Sequence, residues 1–229
     1  MKIFSKSIFS KHCPVCLSAI ERKGLCKNCL SNLIQPRHSC RICLVPLERQ
    51  AGNICISCAA GVSFDQVVAL ARYTPPLSDL ICRLKYHNHI YLAKVLGTLL
   101  ANHIKKHRRK LPELLITVPL HKQRIKQRGF NQAVEIARSV SAELNLKTDY
   151  RCIEKSKITP LQTTLNSHRR KNNLKGAFRL RRPVYAKSIA LLDDVMTTGA
   201  TVSEIASLLK KEGVHRVEVW VLARTSPLS

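Results

Sequence analysis

Acidic residues are scarce in this chain of 229 residues: 14 Asp and Glu stand against 39 Lys and Arg, a formal charge of +25. Such an imbalance draws polyanions, whether nucleic acid, an anionic membrane surface or phosphorylated ligands. Aromatics are equally thin at 5%, so stacking can be only a minor part of any nucleic-acid contact beside phosphate neutralisation. No apolar stretch approaches the ~20 residues of a membrane span. The N-terminal run MKIFSKSIFSKHC lacks the apolar core of a secretory signal, so a soluble cytoplasmic protein is expected. Neither G-x-x-x-x-G-K-[ST] nor G-x-G-x-x-G occurs, which leaves a P-loop and a dinucleotide fingerprint unsupported. The length suits one medium domain with a small appendage.

Cysteine, by contrast, is abundant. Eight of the ten form four C-x-x-C pairs, Cys13/Cys16, Cys26/Cys29, Cys40/Cys43 and Cys55/Cys58. Each pair is a knuckle able to place two thiolates on one metal, and two knuckles close a tetrahedral site of four thiolates. Disulfides are disfavoured in a reducing compartment, and redox C-x-x-C chemistry by the lack of a thioredoxin-like pattern around the pairs. Two structural zinc ions are expected. Sequential pairing puts Cys13, Cys16, Cys26 and Cys29 on one and Cys40, Cys43, Cys55 and Cys58 on the other, with crossed pairing still open. A segment this short and poor in large apolar residues depends on metal to fold. Cys82 and Cys152 are expected to be inert thiols inside a helix and a strand.

The most informative stretch is IALLDDVMTTGAT, residues 189–201. A short apolar run reads as a buried parallel strand, and Val202, Ile205, Ala206 and Leu209 recur at helical spacing beyond it. Strand, tight turn and helix N-terminus form an anion site, because unpaired N–H groups and the helix dipole favour a phosphate. Thr197, Thr198 and Thr201 add hydroxyl donors, and Gly199 and Ala200 keep the turn small. The acidic pair Asp193 and Asp194 suits two vicinal ribose hydroxyls, since an ionised carboxylate only accepts. Thr201 with Glu204 fits a capping box, and Gly213 a helix stop. The plainer alternative is an ordinary strand–turn–helix with an acidic turn.

Elsewhere, strands are expected at residues 66–73, 114–118, 151–154, 189–192 and 216–223, and helices at 77–86, 90–107, 131–146 and from 201. This alternation argues for an α/β parallel sheet covered on both faces, with ligands beyond the carboxyl ends of its strands. Pro119, Leu120, His121, Arg124 and Arg128 follow one such end, and their cations suit a diphosphate. A solvated basic loop is the alternative. Residues 155–182 hold nine Lys and Arg and no acid, a composition that cannot pack as a core.

The stretch at residues 189–201 resembles the phosphoribosyl-diphosphate (PRPP) motif of type I phosphoribosyltransferases. The chain as a whole, over about residues 12–225, resembles the ComF family, a double zinc ribbon joined to a phosphoribosyltransferase domain. The resemblance implies a division at 1–62 and 63–229. It makes residues 119–128, with RGFNQ at 128–132, the pyrophosphate loop, and it matches Leu84-Lys85-Tyr86 to a family LKY motif. It makes TPLQ…R…N…GAF, carrying Gln162, Arg170 and Asn173, a mobile lid at about residues 155–187, although Thr164 and His168-Arg169 depart from the usual pattern. Mg2+ would accompany PRPP. The family's implication in natural transformation suggests handling of incoming single-stranded DNA in the cytoplasm, with DNA-uptake helicase or recombination proteins as partners. Two alternatives stand beside this: an active PRPP-dependent transferase of unknown acceptor, and a non-catalytic docking protein that works through its zinc ribbons.

Overall fold

The computed structural model of the chain describes residues 11–21, 24–35, 38–48, 52–156, 174 and 176–226. Its strands are β1 Gln66–Arg72, β2 Leu114–Thr117, β3 Thr148–Asp149, β4 Ile153–Lys155, β5 Phe178–Leu180, β6 Ser188–Met196 and β7 Arg216–Arg224. Its helices are α1 Lys27–Ser31, α2 Ile56–Ala59, α3 Leu77–Tyr86, α4 Tyr91–His107, α5 Lys122–Arg128, α6 Gln132–Leu144 and α7 Ala200–Lys211. Five strands form one sheet in the order β1-β7-β6-β2-β3, and every neighbouring pair is parallel. β4 and β5 form a separate antiparallel pair.

The inner strands are apolar on both faces because both are covered. Leu192, Trp220 and Leu222 pack with Leu80, Leu84, Leu96 and Ile136 of α3, α4 and α6. Leu191, Val219 and Val221 pack with Val202, Ile205 and Leu209 of α7. Helix α4 lies so close to α6 that a Cβ at Gly97 would come within 2.8 Å of the Ile136 carbonyl, which is why the crossing has glycine there.

The two ribbons repeat one design. Leu17 and Leu44, each just after a knuckle, take left-handed backbone at φ 60° and 58°. Isolated bridges join His12 to Ala19 and Ser39 to Pro46, and Cys26 and Cys55 each precede a short helix. Together the ribbons clasp the outer edge of β1. The amide of Arg72 donates to Ile34 O at 2.8 Å, and that of Val67 to Ile42 O at 2.7 Å. The Gln35 side chain donates to Leu70 O at 2.8 Å. Val15, Leu25 and Leu33 of the first ribbon join the helix-rich face, whereas Cys40, Cys43, Val45 and Cys58 of the second join the α7 face. Backbone groups that an edge strand would leave open are thereby covered.

Several sequence expectations shift. The strand expected at residues 189–192 runs to Met196, so the acidic pair lies within it. The 155–187 stretch is not wholly irregular, because β5 lies in it and pairs with β4. Segment 122–128 is a helix, α5. The N-cap of α7 is Gly199, not Thr201, and the Glu204 carboxylate accepts from the Gly176 amide at 2.8 Å in place of a capping box. Cys152 sits in a bend ahead of β4, buried as expected.

Candidate functional site

Because the sheet is parallel, its carboxyl ends share one edge. Thr117 pairs with Leu192, and the Val118 amide donates to Leu192 O at 2.9 Å. Pro119 and the acidic pair therefore stand at the same height. Helix α5 follows, capped by His121, whose Nδ1 accepts from the Gln123 amide at 3.3 Å. Asn131 caps α6 by accepting from the Ala133 amide at 3.0 Å and ties it to β2 by donating to Val118 O at 3.1 Å. The RGFNQ run thus anchors the segment to the strand beside β6. Nearby, the buried Thr117 hydroxyl and Gln132 amide nitrogen have no hydrogen-bond partner among the described residues.

Asp193 and Asp194 are consecutive on β6, and side chains alternate across a strand. The Asp194 carboxylate pairs with Lys85 of α3 at 3.0 Å. Asp193 accepts from the Asp194 amide at 2.8 Å and feels the Lys155 charge from β4. Desolvation first, and the Asp194 charge second, push Asp193 up to about 7, although the Asp194 amide, Lys85 and Lys155 pull the other way. A carboxylate that carries this strain is one for which added donors have most to offer.

Past Met196 the chain turns through Thr197 and Thr198, both exposed, to Gly199 at φ 78°. A Cβ on Gly199 would lie 2.5 Å from Met196 Cε. The first turn of α7 opens into a cleft of about 40 Å³, lined by Asp193, Val195 and residues 196–202. Backbone amides, threonine hydroxyls and a helix N-terminus there can hold a phosphate. The loop is pinned from beneath by Arg224 of β7, which is buried. Its Nε donates to Cys43 O at 2.8 Å, and one terminal nitrogen donates to Met196 O at 3.1 Å, to Thr225 O at 2.7 Å and to Thr197 O. One guanidinium thus ties the second cysteine cluster to the threonine loop.

The eight cysteines gather in the sequential sets expected. Within each set the ligand atoms lie within 4.8 Å of one another, and Cys16–Cys26 and Cys43–Cys55 each stand 3.6 Å apart, sulfur to sulfur. A tetrahedron of ~2.3 Å zinc–sulfur bonds requires about 3.8 Å. Both groups are compatible with structural zinc.

Charge on the described surface is less uniform than the sequence suggests. Glu154 pairs with Arg179 and Arg181, and Asp149 with Arg182, so much of the β4–β5 charge is internally met. Helix α5, KQRIKQR, buries no residue and carries four cations. Gln162, Arg170 and Asn173 lie outside the described residues.

No family model matches the chain. Relatives do. DNA utilization protein YhgH of Escherichia coli K12 is 39% identical over 166 residues, 71% of this chain and 73% of that protein. Competence protein F of Haemophilus influenzae is 36% identical over 213 residues, 90% of this chain and 92% of that one. The chain belongs to the ComF family. Competence protein ComFC of Streptococcus pneumoniae is 27% identical to this ComF chain over 216 residues, 93% and 87% of the two lengths. Among solved structures, purine phosphoribosyltransferase of Pyrococcus horikoshii Ot3 is similar at a TM-score of 0.37 and 13% identity, over 60% of this chain and 85% of that one. A hypoxanthine phosphoribosyltransferase of Staphylococcus aureus gives 0.36 and 12%, over 58% and 62%.

Reading the ComF sequence missed three residues: Lys85, Lys155 and Arg224. Each acts through a partner far away in the chain. Only Lys85 left a signal, by lying in the LKY motif.

Proposed function

We propose that this ComF protein binds PRPP, with Mg2+, at the carboxyl edge of its sheet, and that its function is the cytoplasmic handling of incoming single-stranded DNA during natural transformation. The observation that carries the ligand is the arrangement on β6 and α7. Two carboxylates lead into a threonine-and-glycine turn at a helix N-terminus, which suits a ribose followed by its 5′-phosphate. Asp193 and Asp194 would accept from the ribose hydroxyls, while Thr197, Thr198, Gly199, Ala200 and Thr201 would cradle the phosphate. Pro119, Leu120, His121, Arg124 and Arg128 would face the diphosphate, and Mg2+ would offset its charge. The role in DNA rests on kinship with competence protein F and DNA utilization protein YhgH, together with the exposed cations of α5. The ribbons at residues 1–62, set against the unit at 63–229, are the surface offered to a helicase or recombination partner.

The test is binding of a labelled single strand across a salt series, with and without PRPP. If ~6 phosphates are contacted, log K against log salt falls with a slope near ~−4. A flat profile, or no binding at low salt, contradicts the DNA role. Displacement of the strand by PRPP would show that the two ligands share cations.

A further inference from the structure

Between the end of α3 and the exposed helix α5 lies a cavity of about 440 Å³, separate in its lining from the threonine-loop cleft. This falls within the ~300–1,000 Å³ of small-ligand sites. Its walls combine two kinds of group. Lys85, Arg124 and Arg128 supply positive charge, and among the described residues no carboxylate lines the cavity. Tyr86 and Phe130 supply aromatic surface. Tyr86 is 64% exposed, so much of a large ring stays open to solvent, at a cost. The Arg128 guanidinium lies 4.9 Å from the Tyr86 ring centroid and donates to its hydroxyl at 3.2 Å. The guanidinium thus lies over the ring as a cation–π pair. The amides of Asn88 and Gln127 stand at the same walls and can both donate and accept.

A site for bare phosphate or diphosphate has no use for an exposed ring. A site for an apolar ligand has no use for three cations. Both are satisfied by a nucleotide, whose base stacks on aromatic and guanidinium planes while its phosphate meets cations. We propose that this cavity seats one nucleotide unit of single-stranded DNA, with its base on Tyr86 and Phe130 and its phosphate on Arg124 and Arg128, the two cations for which it then competes with the PRPP diphosphate. The inference rests on the DNA-handling reading and adds to it the point where a base is gripped. Lys85 both lines the cavity and pairs with Asp194, so an occupied cavity lies one side chain from the acidic pair.

The test compares a twelve-nucleotide thymidine strand with an abasic strand of equal length, by fluorescence anisotropy at low salt. The full chain should prefer the thymidine strand roughly tenfold, the scale of a single stacked base. Tyr86→Ala should bring that preference close to one. Tyr86→Phe, which keeps the ring, should retain it. Arg124→Gln should weaken both strands alike. Equal binding of the two strands by the unaltered protein, or a preference that survives Tyr86→Ala, overturns this inference alone. Failure of both strands to bind overturns the DNA-handling reading and this inference with it.

Discussion

Asp193 and Asp194 are neighbours in the chain, yet Asp194 is met by a lysine ion pair and Asp193 by desolvation. Asp193, lifted from 3.8 to about 7, holds a proton through much of the range below neutrality, and a protonated carboxyl is a poorer acceptor for a ribose hydroxyl. Affinity for ribose 5-phosphate should therefore rise about tenfold per pH unit up to about pH 7 and then level off. Titration calorimetry from about pH 6 to 8 checks this, with Asp193→Asn as the variant in which the Asp193 component vanishes. The same shift has a stability consequence of opposite sense. A folded value above the unfolded one means stability fully present below about pH 4 and lost as pH climbs through about 7. Asp193→Asn should accordingly raise Tm more at pH 8 than at pH 5, even as it removes ligand binding. A second residue, Gly199, sits at φ 78° with Met196 Cε against its missing Cβ. Gly199→Ala should cost about 1–2 kcal/mol, seen as a fall of about 2–8 °C in Tm. At this scale the acidic pair and the cysteines were legible in the sequence, because each is a local pattern. Lys155 and Arg224 belong to no local pattern of that kind, and the LKY motif marked Lys85 without its partner, since all three partners come from other elements.

Among the elements, β7 does more than fill the sheet. Its last residue, Arg224, bonds the carbonyl of Cys43 on one side and those of Met196 and Thr197 on the other. Arg224→Gln would leave the buried Cys43 carbonyl without its donor, at roughly 1–3 kcal/mol, while Met196 O keeps the Thr225 amide. It should weaken ribose 5-phosphate binding about tenfold while zinc content stays equal to that of the unaltered protein. Amide hydrogen exchange would show the threonine loop opening faster in the variant. An unchanged affinity would reduce Arg224 to a structural tie. Most strands and long helices were legible from apolar periodicity, as with residues 77–86, where helix α3 matches residue for residue. Helix α5 was not, because KQRIKQR has only Ile125 as an apolar marker and buries nothing. Strand β5 was hidden by the charge of its surroundings, which Glu154 and Asp149 meet from outside the basic tract. The supposed capping box failed because Glu204 is engaged by Gly176.

For the whole molecule, the ribbons and the sheet are interdependent. The ribbons bond the open edge of β1 and extend both apolar layers. Zinc held at the two cysteine clusters would therefore support the sheet as well as the knuckles. Removing it with a strong chelator should lower Tm markedly, because knuckles of this kind fold with their metal. It should also produce concentration-dependent association as the β1 edge is bared; light scattering with and without chelator measures this. We propose a phosphoribosyl site at the carboxyl edge of the sheet, at Asp193, Asp194 and the threonine loop. Isothermal titration of PRPP with Mg2+ into the zinc-loaded protein tests it most directly. Saturable binding near one per chain, abolished in a folded Asp193→Asn, Asp194→Asn double variant, is the expected result. No saturable heat in the unaltered protein, or equal binding by the double variant, would contradict it.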